Sequence, residues 1–172
     1  RSQKPEDAAA SRFWIKVFTA TFALGVATGI TMEFSFGTNW ADYARFVGDI
    51  FGAPLAAEAL LAFFLESVFL GVLLFGRKKV GKKFYLASAW LVWFGSCLSA
   101  LWIIIANSWM QTPAGAELSA DGTQAILTDF MAAAFNATTI PRYLHTVDAL
   151  LIMGAFMALA IGAWYLKKGR HT

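Results

Sequence analysis

Two carboxylates stand inside a stretch apolar enough to cross a bilayer. The segment Pro54 to Phe75, PLAAEALLAFFLESVFLGVLLF, carries Glu58 and Glu66. A hydrocarbon core of about 30 Å takes roughly 20 helical residues, and an ionisable group near its centre costs roughly 2.5–3.5 kcal/mol on insertion scales. Acids at such positions need a partner or a task. Eight residues of helix correspond to ~12 Å of rise and roughly 80° of rotation, so Glu58 and Glu66 can line one wide face at two depths. Buried carboxylates in series can carry protons through lipid, because a desolvated glutamate can hold or release its proton near neutrality. The structural alternative is that both stay protonated and only hydrogen-bond neighbouring helices.

A second candidate is His145, in the first turn of another apolar segment and followed at helical spacing by Asp148. A neutral imidazole is a common axial ligand of haem iron, but an intramembrane histidine can also be a packed, hydrogen-bonded residue. Asp148 needs a partner that the sequence does not identify. His171 follows KKGR and reads as a solvated tail residue. Met32, Met110, Met131, Met153 and Met157 read as core or interface side chains rather than ligands. No phosphate loop, zinc spacing or nucleophile elbow is present, and GVATG at Gly25 to Gly29 is a helix-packing motif because no strand precedes it.

The surrounding chain has the composition of a multi-spanning membrane protein: of 172 residues, 58% are hydrophobic and 15% charged, with 16 Phe and 7 Trp. A net charge of +3, with the cations in clusters, argues against nucleic-acid binding. The single cysteine, Cys97, excludes an intrachain disulfide. The chain begins at Arg1 instead of an initiator methionine and has no signal-peptide pattern, which suggests a fragment or a processed chain.

The expected fold is an all-α integral membrane helical bundle of one domain, residues 1–172, with about four transmembrane helices. Spans are placed at about 13–33, 54–75, 84–106 and 142–166. A helix is expected to start before the first span, at Pro5-Glu6-Asp7, with proline in the first turn and acids at the positive dipole end. Residues 34–53, with Gly37, Asn39, Gly48, Trp40 and Tyr43, read as an outer-side loop holding one interfacial turn. Residues 107–141 read as a second outer loop with a short amphipathic helix around Gln124 to Phe135. Within the third span, Gly95, Ser96, Ser99 and Ala100 form a small, polar-tinted strip. Glu33 closes the first span. Four spans put the three basic clusters (Arg1 to Lys4 with Arg12 and Lys16, Arg77 to Lys83, Lys167 to His171) on one side, with only Arg45 and Arg142 opposite, so both termini are expected to be cytoplasmic.

Four runs carry a more specific signal: GVATGITMEFSFGTNW (Gly25 to Trp40), VGDIFGAPLAAEALLAFFLES (Val47 to Ser67), GSCLSALWIIIANSWMQTP (Gly95 to Pro113) and LHTVDALLIMGAF (Leu144 to Phe156). In this order they closely resemble the large haem-bearing subunit I of cytochrome bd-type quinol oxidases. The resemblance implies a protein of the bacterial or archaeal cytoplasmic membrane whose complex oxidises a quinol and reduces dioxygen to water, taking protons from the cytoplasm. The implied cofactors are a low-spin haem b, a high-spin haem b and a haem d; the implied partners are the remainder of subunit I, subunit II and the lipid bilayer. By the same resemblance, His145 of LHTV is an axial ligand of the low-spin haem b. Glu58 and Glu66 match carboxylates near the high-spin haem b and haem d and on the proton route, Ser99 of LSALW matches a serine on that route, and Glu33 of TMEF falls in a family motif. The family's subunit is longer. A first helix with a histidine ligand, the quinol-binding loop, the methionine partner of the low-spin haem and an acidic ligand have no counterpart here. The chain therefore corresponds to the second to fifth helices of subunit I, as a fragment, a split gene or a divergent relative, and alone is expected not to reduce oxygen. The competing possibility is a membrane scaffold or a proton or ion channel that keeps the fold without redox activity.

Overall fold

The computed structural model describes residues 4–169. Among these, four helical segments are long and apolar enough to cross a membrane: Pro5–Gly37, Ala41–Phe75, Lys82–Gln111 and Phe130–Lys167. Arg1, Arg170 and His171, members of the terminal basic clusters, lie outside the described residues.

The first helix, α1 (Pro5–Gly37), starts where the proline and the two acids place it, with Glu6 and Asp7 in its first turn. The hydroxyls of Thr19, Thr21, Thr28 and Thr31 donate to carbonyls four residues back, which satisfies them on a helix facing apolar surroundings. No residue of α1 is buried. It meets the other helices through aromatic contacts: Phe22 stacks on Phe63 at 6.2 Å between centroids, and Phe13 meets Tyr165 edge-on at 6.0 Å.

After a turn at Thr38 to Trp40, helix α2 (Ala41–Ala57) begins. This corrects the loop expected over residues 34–53. Gly48 weighed against a helix there, but it lies on its exposed side, while Val47, Ile50, Phe51 and Pro54 are buried at i, i+3, i+4 and i+7 spacing. The chain continues through a π-helical turn, Glu58–Phe63, into α3 (Phe64–Phe75), so that a single helical rod runs from Ala41 to Phe75. Pro54, inside the rod, has no N–H to offer the Ile50 carbonyl.

A tight turn of Gly76 to Gly81 reverses the chain into α4 (Lys82–Gln111). The Tyr85 hydroxyl donates to the Leu73 carbonyl at 2.9 Å and pins the two helices at this end, where Leu70, Leu73 and Val92 form a buried cluster. The inward side of α4 is a seam in alternating steps of four and three. Ser88, Val92, Gly95, Ala106 and Trp109 are buried along it, and Ser99 and Trp102 are half-buried. That spacing keeps one stripe facing a partner helix over several turns.

The segment between α4 and the last long helix is not the amphipathic helix expected over Gln124 to Phe135. It is an antiparallel hairpin of β1 (Ala116–Leu118) and β2 (Ala125–Leu127), followed by the five-residue helix α5 (Phe130–Ala134). The Asp121-Gly122 pair turns the hairpin, Gly122 adopting φ +71. Asp129 caps α5 by accepting the Ala132 N–H at 3.0 Å. Gly115, at φ +64, lets the chain pass close against Asp129 and Ala133. The Asp49 carboxylate on α2 accepts the Leu127 N–H at 2.8 Å and docks the hairpin onto the bundle. Beneath it, Val47, Ile50, Phe51, Ala106, Trp109, Ala125 and Ala133 form the main core. Trp109 sits edge-on to Phe51 at 5.6 Å and donates its indole N–H to the Ala114 carbonyl at 2.9 Å.

Helix α6 (Thr139–Lys167) closes the bundle. Its start is fastened to α4 by a buried polar hub in which the Ser108 hydroxyl donates to Asn136 Oδ1 at 2.8 Å and lies 2.7 Å from Thr138 Oγ1. Arg142 reaches Asn107 Oδ1 at 3.4 Å, and the Tyr143 hydroxyl donates to the Cys97 carbonyl at 3.1 Å.

Candidate functional site

The site is built on the antiparallel pair formed by the Ala41–Phe75 rod and α4. Ser99 donates from Oγ to Glu58 Oε1 at 2.9 Å. One turn along α4, Gly95 lies against the Glu66 side chain, and beside it the Ser96 hydroxyl donates to its own helix at the Val92 carbonyl, 3.2 Å away. Glu66 is buried, and Glu58, Ser96 and Ser99 are half-buried. The small residues of α4 thus form the wall that the two carboxylates face. Gly95 allows close approach, and each serine provides a hydroxyl that can both give and accept a proton.

The π turn explains why both acids reach the same wall. On a regular α-helix their eight-residue separation would set them roughly 80° apart. A π turn closes its hydrogen bonds one residue later than an α turn, so a single such turn offsets the register by about one residue, ~100°. Glu58 opens that turn and Glu66 follows it. The net angle between them falls to roughly 20°, and the wide face inferred from an unbroken helix narrows to a file.

The other sequence candidates lie apart from this file. His145 and Asp148 are exposed on α6, and among the described residues neither has a hydrogen bond or ion pair. Glu33 is exposed near the end of α1. No hydrogen bond joins His145 to Glu58, Ser99 or Glu66 among the described residues; α6 meets α4 through Tyr143 and Arg142 instead.

Two features were not singled out from the sequence. Trp102 lies on the α4 seam, three residues beyond Ser99, with its indole nitrogen buried and without a hydrogen-bond partner. Its spacing from Gly95 and Ser99, seven and three residues, marks it as part of the same stripe. The Ser108–Asn136 hub was also missed, because its partners are 28 residues apart and on different elements.

Comparison with known proteins gives a family. A family model described as cytochrome bd terminal oxidase subunit I matches residues 1–172. The cytochrome bd-II ubiquinol oxidase subunit 1 of Escherichia coli (strain K12) is 54% identical over 161 residues, covering 94% of this chain and 31% of that protein. The cytochrome bd ubiquinol oxidase subunit 1 of Bacillus subtilis (strain 168) is 46% identical over 162 residues, covering 94% of this chain and 34% of its own length. The chain therefore spans about a third of the curated relatives it matches. With its apolar helices and the residues it shares in order with these proteins, the chain belongs to the cytochrome bd terminal oxidase subunit I family.

Proposed function

We propose that the chain forms part of subunit I of a bd-type terminal quinol oxidase of the cytoplasmic membrane, in which quinol is oxidised and dioxygen reduced. In this role it contributes a haem ligand and a stretch of proton route. The observation that carries the proposal is the file in which Glu66 packs on the α4 wall at Gly95 and Ser96, and Ser99 bonds Glu58 further along, between two apolar helices. A carboxyl group and a serine hydroxyl alternate as donor and acceptor. A proton arriving at Glu66 can therefore be held there, and Ser99 orients Glu58 Oε1 to receive one further along. Glu66 is nearer the Arg77 to Lys83 cluster, the side that the positive-inside rule assigns to the cytoplasm, so uptake runs from Glu66 toward Glu58. Both termini then lie in the cytoplasm.

His145 fits the role of axial ligand. Its ring is exposed on α6 and engaged by no hydrogen bond among the described residues, so a ring nitrogen is available to donate to an iron. When bound, haems of the implied set, a low-spin haem b, a high-spin haem b and a haem d, would supply the electron transfer from quinol to dioxygen. Glu58 and Glu66 would be the carboxylates that serve the latter two in this proposal. The remainder of subunit I and subunit II complete the complex.

The test is a dithionite-reduced minus oxidised optical spectrum of membranes containing the whole oxidase, with His145→Ala beside the parent. The expected result is loss of the low-spin haem b band with the chain still inserted. An unchanged spectrum would remove His145 as a ligand and favour a scaffold or a proton or ion channel.

A further inference from the structure

Gly95 faces Glu66 across the helix pair, and what it lacks is informative. A Cβ added there would lie 2.7 Å from Glu66 Cγ, well inside van der Waals contact. The same atom would lie 3.4 Å from the Ala62 carbonyl oxygen and 3.4 Å from the Glu66 nitrogen, at the edge of ordinary contact. The helix backbones thus leave room for a methyl group, and the Glu66 side chain takes that room. Gly71 and Gly48, elsewhere on the same rod, have no atom within 4 Å of such a Cβ. Ala62, fully buried, closes the space one turn before Glu66.

We propose that Gly95 is a positioning residue for the Glu66 carboxyl. Its missing side chain is the slot through which the glutamate stem passes, and the slot, together with Ser96 beside it, holds the carboxyl on the α4 wall in line with Glu58 and Ser99. The consequence for turnover rests on the assignment of Glu66 to the proton route. The geometric relation between Gly95 and Glu66 does not.

The experiment is a cycle of Gly95→Ala, Glu66→Ala and the double variant in the complete oxidase, with Gly71→Ala as control. Two quantities are read: the thermal midpoint of the haem-loaded complex and the pH profile of oxygen consumption. Gly95→Ala is expected to lower turnover roughly ten-fold or more, as small misplacements of reacting groups do, to displace the pH profile and to lower the midpoint. In the Glu66→Ala background the same change should leave the midpoint nearly where it was, because Cγ is gone and the pair is non-additive. Gly71→Ala should behave as the parent. Should Gly95→Ala alone fail to assemble, assembly of the double variant would be the expected rescue, and failure of both would overturn the proposal. Additive midpoints with an unmoved pH profile would also overturn it. If Glu66→Ala leaves turnover intact, the proton-route assignment fails, while the midpoint cycle still decides the role of Gly95.

Discussion

Replacing Asn136 with alanine tests whether the start of α6 is held by one side chain. Asn136 Oδ1 accepts from the Ser108 hydroxyl at 2.8 Å, the Thr138 N–H at 3.1 Å and the Thr138 hydroxyl at 3.0 Å, and its Nδ2 donates to the Ala133 carbonyl at 3.1 Å. Truncation does not affect these partners equally. Ser108 and Thr138 lie 2.7 Å apart and can turn to each other, and Thr138 also reaches Thr112 Oγ1 at 3.1 Å. The Thr138 N–H and the Ala133 carbonyl have no such recourse. An orphaned buried polar group costs about 1–3 kcal/mol, and these two lie in partly buried surroundings, so the expected loss is about 2–3 kcal/mol. Ser108→Ala is the matched comparison. It removes one donor from Asn136 Oδ1, which keeps the two from Thr138, and should cost under about 1 kcal/mol. Reversible unfolding of the assembled complex in mixed detergent micelles, followed by tryptophan fluorescence, would measure both. Equal losses, or a larger loss for Ser108→Ala, would refute the assignment of Asn136 as the hub.

Ser99→Ala removes the 2.9 Å bond to Glu58, and since polar contacts between membrane helices average ~0.6 kcal/mol, the fold should persist while oxygen consumption falls; unchanged turnover would count against the serine as a relay. The exposed hairpin turn has its own pH dependence. Hydrogen bonds from the Ser119 and Thr123 hydroxyls and the Thr123 N–H hold the Asp121 carboxyl down to about 2 from an ordinary 3.8. Because the folded value lies below the unfolded one, its contribution is complete above about pH 4 and is lost as the pH falls through about 2. Hydrogen exchange at the Thr123 amide should therefore be flat from neutrality to about pH 4 once corrected for intrinsic rates, and Asp121→Ala should abolish the protection; a protected amide in that variant would remove the carboxylate from the turn.

Hydropathy made the helical bundle readable, because a bilayer demands long apolar runs. The Pro5-Glu6-Asp7 start of α1 was equally plain, since proline and acids favour a first turn for local reasons. The rod before Pro54 was obscured. Gly48 looks like a loop residue by itself, whereas the stripe of Val47, Ile50, Phe51 and Pro54 that overrides it becomes visible only when tested at helical period. The hairpin had a local marker in Asp121-Gly122, but its strands are three residues each and too short to establish an alternation. In the site, Glu58, Glu66 and the small strip of α4 were legible as types at spacings. Their convergence was not, because it depends on a π turn that has no reliable sequence signature. Nor was the gap at Gly95, which exists only relative to a side chain on the other helix.

The π turn at Glu58–Phe63 makes this span sensitive to its residue count in a way that hydropathy cannot register. Adding one apolar residue between the two acids would leave the segment as greasy and almost the same length, and insertion would be unaffected. Yet the π turn already absorbs one residue, so one more would rotate the two halves of the rod against each other by ~100°. One half bears Glu66 and the α3 contacts with α4; the other bears Glu58 and, further back, the Asp49 carboxylate that fastens the hairpin. Either the file of Glu58 and Glu66 or the hairpin that covers the end of the bundle would then have to let go. A single residue of bookkeeping thus couples the interior of the bundle to the structure that covers its end.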